Sequence, residues 1–113
     1  MHRRKTPPTP CFDEIIHAPH RLRLCVLLSP VESAAFATLR DELDLADSVL
    51  SKHLKVLSEA GYVTLDRPVG QGGRPRTWVR ITDAGRAALA GHLAALHELS
   101  EAAALSQPPG SRA

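Results

Sequence analysis

Aromatic side chains are nearly missing from this sequence: one Trp, one Tyr and two Phe make up 4% of its 113 residues. A chain of that length builds one domain with a modest core, so Leu, Val, Ile and Ala must supply the interior. Cysteine is scarce as well. Cys11 and Cys25 are two lone thiols, and without a secretion signal a structural disulfide is not expected. No apolar run approaches the roughly 20 residues that a membrane helix requires. The basic start, MHRRKTPPTP, is followed by no hydrophobic segment of the kind a signal peptide carries. The expected location is therefore cytoplasmic. Also absent are a phosphate loop, a nucleophile elbow, and any paired-carboxylate or metal-ligand set at working spacing. These gaps argue against an enzyme, and no cofactor or metal is expected.

What is present is an uneven distribution of charge around a net value of only +2. Residues 1–31 carry five basic side chains against Asp13 and Glu14, a net of +3. Residues 32–47 carry Arg40 against Glu32, Asp41, Glu42, Asp44 and Asp47, a net of −4. Residues 48–80 reverse the sign: Lys52, Lys55, Arg67, Arg74, Arg76 and Arg80 oppose Glu59 and Asp66, a net of +4. A cationic concentration of this kind suits a polyanion.

Periodicity places the elements. Residues 1–11 are Pro-rich and basic and read as a disordered arm, either a phosphate-binding extension or a solubilising one. Phe12 to Ile16 forms a first helical turn, Pro19 marks a break or a fresh start, and His20 to Leu28 is a core helix. Val31 to Ala35 is a connection with room for a short strand. Phe36, Leu39 and Leu43 recur at helical spacing over a helix from about Ala37 to Leu43. Asp44 and Leu45 supply a turn. Asp47 or Ser48 then opens a helix of about residues 47–60, whose side-chain oxygen is expected to accept a first-turn N–H. Leu50, Leu54 and Leu57 form its buried stripe, with Ser48, Ser51, Lys52, Lys55 and Glu59 on the other side. Gly61 sits where a helix end calls for the left-handed conformation.

Beyond it, Tyr62 to Arg67 and Thr77 to Ile81 alternate, with Val63 and Leu65, then Val79 and Ile81, on one face. The Gly- and Pro-rich segment between them reads as a hairpin tip, giving a basic wing of about residues 67–77. Thr82-Asp83 caps a long Ala-rich helix of about residues 83–105, where Leu89, Leu93, Leu96 and Leu99 recur at heptad-like spacing. Residues 106–113 form a Pro/Gly/Ser tail expected to be disordered. The fold class is mainly α with a small β-wing, over about residues 12–105.

Two helices joined by a tight turn, the second polar on its outer face, have the geometry of a helix entering a major groove. Ser48, Ser51 and Lys52 lie in the part that reaches base edges. Lys55, one turn on, suits backbone phosphate, and His53 adjoins this face. Arg67, Arg74 and Arg76 put guanidinium groups on the flank and tip of the wing, where they can enter a minor groove or clamp phosphates. The remaining candidates have quieter readings. Cys25 fills core space, and Trp78 packs on the wing or lines a small-molecule site. His97 and Glu101, one turn apart, lie on a solvated helix face.

The segments HAPHRLRLCVLL (His17–Leu28), LADSVLSKHLKVLSEAGYV (Leu45–Val63), GGRPRTWVRIT (Gly72–Thr82) and DAGRAAL (Asp83–Leu89) resemble the winged helix-turn-helix transcriptional regulators of the MarR/ArsR-like group. The resemblance covers about residues 12–99. It implies a homodimer joined through its terminal helices, with one recognition helix per half-site on double-stranded DNA. Groove contacts would fall on Ser48, Ser51, Lys52, His53 and Lys55, and a wing arginine on Arg74 or Arg76. The dimer contacts would fall on Leu89, Leu93, Leu96 and Leu99. Two departures stand out. Ala46-Asp47-Ser48 replaces the Cys-x-Cys pair of metal-sensing members, and the chain has little mass to enclose the ligand pocket of the larger ones. Repression is expected over activation. The alternatives are a winged-helix protein-interaction module and a ligand- or metal-responsive sensor of the same fold.

Overall fold

Pro19 organises the start of the chain. It has no N–H to continue a helix begun upstream, but it fits the first position of a new one. The computed structural model, which describes residues 7–68 and 76–106, accordingly separates a short α1 (Glu14–His17) from α2 (Pro19–Leu28) at this point. Asp13 caps α1, its side chain accepting from the Ile16 N–H. A two-residue β1 (Ala34–Ala35) leads directly into α3 (Phe36–Leu43). α3 ends at Asp44, which takes the left-handed conformation at φ 55°. Asp and Asn tolerate that region better than other side chains.

The next helix, α4 (Asp47–Glu59), buries Leu50, Leu54 and Leu57. The expected cap is not made. Helix geometry begins at Asp47, so Ala46, which has no polar side chain, occupies the N-cap, and the Asp47 carboxylate accepts from Arg40 Nη1 at 3.1 Å. Gly61, at φ 82°, closes the helix as expected. The strands β2 (Val63–Asp66) and β3 (Trp78–Ile81) form an antiparallel hairpin with Val63 opposite Ile81 and Leu65 opposite Val79. β1 pairs on the other side of β3, giving the order β1-β3-β2. Val63, Val79 and Ile81 face the core, but Leu65 is 38% exposed, because an open cleft separates it from α4.

Thr82 caps the 23-residue α5 (Asp83–Leu105), its hydroxyl accepting from the Gly85 N–H at 2.9 Å. A side chain at Gly85 would run into the Tyr62 carbonyl oxygen, so glycine permits the close seating of α5 on the end of β2. One core joins these elements: Ile16, Leu24, Cys25, Leu28, Leu39, Leu43, Leu50, Leu54, Leu57, Val63, Val79, Ile81 and Leu89. Two expectations change here. The arm is docked over its described part, with the Cys11 N–H donating to the Gly91 carbonyl of α5 at 2.9 Å. Leu89 is 5% exposed and belongs to this core, so it is not available to a partner.

His92 is the one buried polar side chain among the described residues. Its Nδ1 accepts from the Asp13 N–H at 3.0 Å, and its Nε2 lies 3.2 Å from His17 Nδ1. Since Nδ1 is an acceptor, the neutral ring carries its proton on Nε2 and donates it to His17. Phe12 packs on both rings, with centroids 4.7 Å away. Asp13 Oδ2 in turn accepts from the Tyr62 hydroxyl at 2.5 Å. That bond, followed by burial, pushes the Tyr62 phenol up to about 12. Cys25, beneath it, is pushed up to about 11 by burial and then by the Asp13 charge, so its thiol is inert at neutral pH.

Candidate nucleic-acid interface

The stripe that buries one side of α4 leaves Ser48, Ser51, Lys52, Lys55 and Glu59 exposed on the others. At 1.5 Å per residue these positions extend over roughly 17 Å, about half a turn of B-DNA. Ser48, Ser51 and Lys52 stand together near the N-terminal end, which also carries the positive pole of the helix dipole. Val49, 38% exposed beside them, is a residue that periodicity alone does not bring out. An apolar side chain there suits a thymine methyl group.

An acid at the front of such a helix opposes phosphate, and Arg40 offsets it. Its Nη1 donates to Asp47 at 3.1 Å and its Nε to Asp41 at 3.2 Å. The same side chain ties the end of α3 to the start of α4. Nothing in the local sequence marks this role, because the partner lies seven residues on, across a turn.

Between α4 and the hairpin runs an open cleft of about 370 Å³, bordered by Ser51, Lys55 and Glu59 on the helix and by Leu65 and Arg67 on the strand side. Exposed Leu65 forms part of its floor. Arg76 is exposed at the other root of the wing, its guanidinium carbon 5.9 Å from the centre of the Trp78 ring. Arg67 and Arg76 thus flank the segment 69–75, and Arg74 lies outside the described residues. Trp78 and Arg80 line a second groove of about 510 Å³ on the outer face of the sheet, with Thr64, Asp66, Glu32 and Ser33.

His53 is placed differently from the other α4 candidates. It is half-buried, its Nδ1 accepting from Arg21 Nη1 at 3.2 Å and its ring lying against His20. It therefore faces α2 and not the exposed side. Of the α5 leucines, Leu93 (42%) and Leu99 (58%) are exposed and Leu96 is partly so. Among the described residues no group of three or more His, Cys, Asp or Glu is arranged to hold a metal ion. His97 and Glu101 pair with each other at 3.5 Å on the surface. No described helix is long and apolar enough to cross a membrane.

Comparison with known proteins agrees with this geometry. The family model of the winged helix DNA-binding domain matches residues 20–100, which takes in α2 through most of α5. The chain belongs to that family. An uncharacterized protein of Methanocaldococcus jannaschii is 33% identical over 88 residues, which is 78% of this chain and 95% of that protein. The structure of a transcriptional regulator homologue from Pyrococcus horikoshii matches with a TM-score of 0.74 at 30% identity, over 84% of this chain and 91% of that one. A MarR-family transcriptional regulator from Enterococcus faecalis matches with a TM-score of 0.65 at 24% identity over 80% of each chain, a likeness of fold alone. This winged-helix regulator is thus a DNA-binding protein of transcription and not an enzyme, as its motifs led one to expect. Within it, α3 and α4 are the helix-turn-helix and the β2–β3 hairpin is the wing.

Proposed function

We propose that the chain is a cytoplasmic homodimeric repressor that occludes a promoter. α4 enters the major groove, where Ser48, Ser51 and Lys52 contact base edges. Lys55, Arg67, Arg74 and Arg76 hold phosphates or the minor groove. The observation that carries this reading is the exposed Ser/Lys face of α4 beside a cleft whose far wall bears Arg67. His53 supports that face from behind. Two copies would join along α5 through Leu93 and Leu99, which are exposed, and Leu96, which is partly so. Such a dimer presents two recognition helices to a symmetric site, with half-sites about one helical turn apart.

Selection from a randomised duplex pool at physiological salt is the direct test. It should enrich an inverted repeat, and the affinity for that repeat should fall steeply with salt because several phosphates are neutralised per copy. Lys52→Ala should relax the enriched sequence, whereas Lys55→Ala should weaken all duplexes alike. No enrichment, or an affinity indifferent to salt, would sink the proposal.

A further inference from the structure

The recognition helix is also held from the side away from the wing. Because Pro19 has no N–H, the Ile15 carbonyl lacks the donor four residues on that an unbroken helix would provide. Arg21 takes that place. Its Nε donates to the Ile15 carbonyl at 2.6 Å, and its Nη1 donates to Nδ1 of His53 at 3.2 Å. One guanidinium, a planar and stiff fork, therefore spans from the α1–α2 corner to the middle of α4. His20 lies against the same imidazole, with ring centroids 5.4 Å apart and planes tilted by 59°. The charged and titratable groups acting on His53 are Arg21 and His20 from α2 and Lys52 from its own helix, and none is acidic.

We propose that Arg21 is a positioning residue for DNA recognition: its bond to His53 sets the rotation of α4 against the α1–α2 corner and holds only while Nδ1 is unprotonated. The inference rests on the DNA-binding reading above and adds to it a residue outside the helix-turn-helix, with a condition on its action. Burial, then the positive neighbours Arg21, His20 and Lys52, keep His53 below the ordinary histidine range, so at neutral pH the ring is an acceptor. A proton on Nδ1 turns donor toward donor and charge toward charge, and the bridge opens. Electrostatics alone gives the opposite trend, since one more cation near a polyanion strengthens binding to any duplex. The ratio of specific to non-specific affinity separates the two effects. Added charge raises both affinities, whereas alignment of the reading face affects only the specific one.

The test titrates the full chain with its selected duplex and with a scrambled one, from about pH 7.5 down to about pH 4.5, a range that extends well below the ordinary histidine value because His53 is held under it. In the wild type the ratio should drop about fivefold on acidification, the worth of one net hydrogen bond. His53→Gln offers Arg21 a non-titrating acceptor and should keep its ratio across that range. Arg21→Met and His53→Leu should each lower the ratio throughout, and the double variant should be no worse than either single one. A wild-type ratio indifferent to pH, a His53→Gln profile as steep as the wild type's, or additive losses in the double variant would overturn the proposal. Nitrogen NMR of the His53 ring in the free protein decides the bridge without DNA: its Nδ1 resonance should move in Arg21→Met, and an unmoved one refutes the contact. Failure of any duplex to be enriched, with that resonance moving as expected, would instead fault the DNA-binding reading.

Discussion

Replacing His92 by alanine tests whether a single polar joint holds the arm, α1 and α5 together. The ring is 0% exposed, accepts from the Asp13 N–H at 3.0 Å, and lies edge-on to Phe12. Truncation orphans that N–H, at about 1–3 kcal/mol. It also leaves a cavity the size of an imidazole, for which about 2 kcal/mol is a moderate figure when the walls relax only in part. The better helix propensity of alanine returns about half a kcal/mol, so the expected loss is about 2.5–4.5 kcal/mol. His92→Gln keeps an acceptor near the same place and should lose only about 1–2 kcal/mol. Urea unfolding reads both as a lower midpoint at unchanged slope.

The joint also has a pH signature. Burial, then His17, holds His92 below the ordinary histidine value, against a weaker pull from Asp13. A base with a depressed folded-state value binds fewer protons folded than unfolded. The stability is therefore full above the unfolded value near 6.5 and is lost as pH falls through it toward the folded one. The wild type should weaken between about pH 7.5 and about pH 5.5, and His92→Gln should weaken less. An alanine variant that loses under about 1 kcal/mol, or two acid responses of equal slope, would refute the reasoning.

Three other outcomes are open to measurement. Gly85→Ala places a Cβ against the Tyr62 carbonyl, which is backbone and already accepts from the Thr82 N–H at 2.9 Å. Thermal unfolding should show a loss of about 3 kcal/mol, the upper end for overpacking, and a neutral result would mean that α5 slides freely. Arg67→Ala and Arg76→Ala should each lower the slope of log affinity against log salt by about 1 while leaving the melting temperature unmoved. Leu93→Glu with Leu99→Glu should yield a folded monomer by light scattering, since both side chains are exposed in the single chain. A persistent dimer would move the interface elsewhere.

Local pattern made α4 legible. Leu50, Leu54 and Leu57 recur with the period of a helix and are its buried residues, which leaves the Ser/Lys face as the remainder. Gly61 and Thr82 mark ends because their roles depend only on neighbouring backbone. Misreadings arose wherever a distant group competed. Asp47 suits a cap, but the helix begins at Asp47 itself, which leaves Ala46 as the N-cap and the Asp47 carboxylate paired with Arg40 across the turn. Leu89 fits the heptad spacing of Leu93 and Leu96, yet the first turns of α5 lie on α2 and bury it. Leu65 alternates correctly and is still exposed, because strand alternation says which face a residue takes and not whether anything covers that face. His92 and Arg21 carried no signal at all. Their partners are 79 and 32 residues away, and a lone histidine in an Ala-rich helix looks like surface.

These long-range contacts share a design. Asp13 alone bonds to three elements: Oδ1 to the first turn of α1, Oδ2 to Tyr62 just beyond the end of α4, and its N–H to His92 in the middle of α5. Arg40 fixes the front of α4 through Asp47, and Arg21 reaches its middle through His53. α4 is thus tied at its start, at its midpoint and just past its end by three polar contacts, over and above its leucine stripe. The hydrophobic contribution of apolar packing is non-directional. Hydrogen bonds add a dependence on distance and angle. On the proposed reading, in which α4 presents side chains to base edges in register, rotational definition matters more to it than extra stability. A core with few aromatics to lock its geometry leaves that task to Asp13, Arg21 and Arg40.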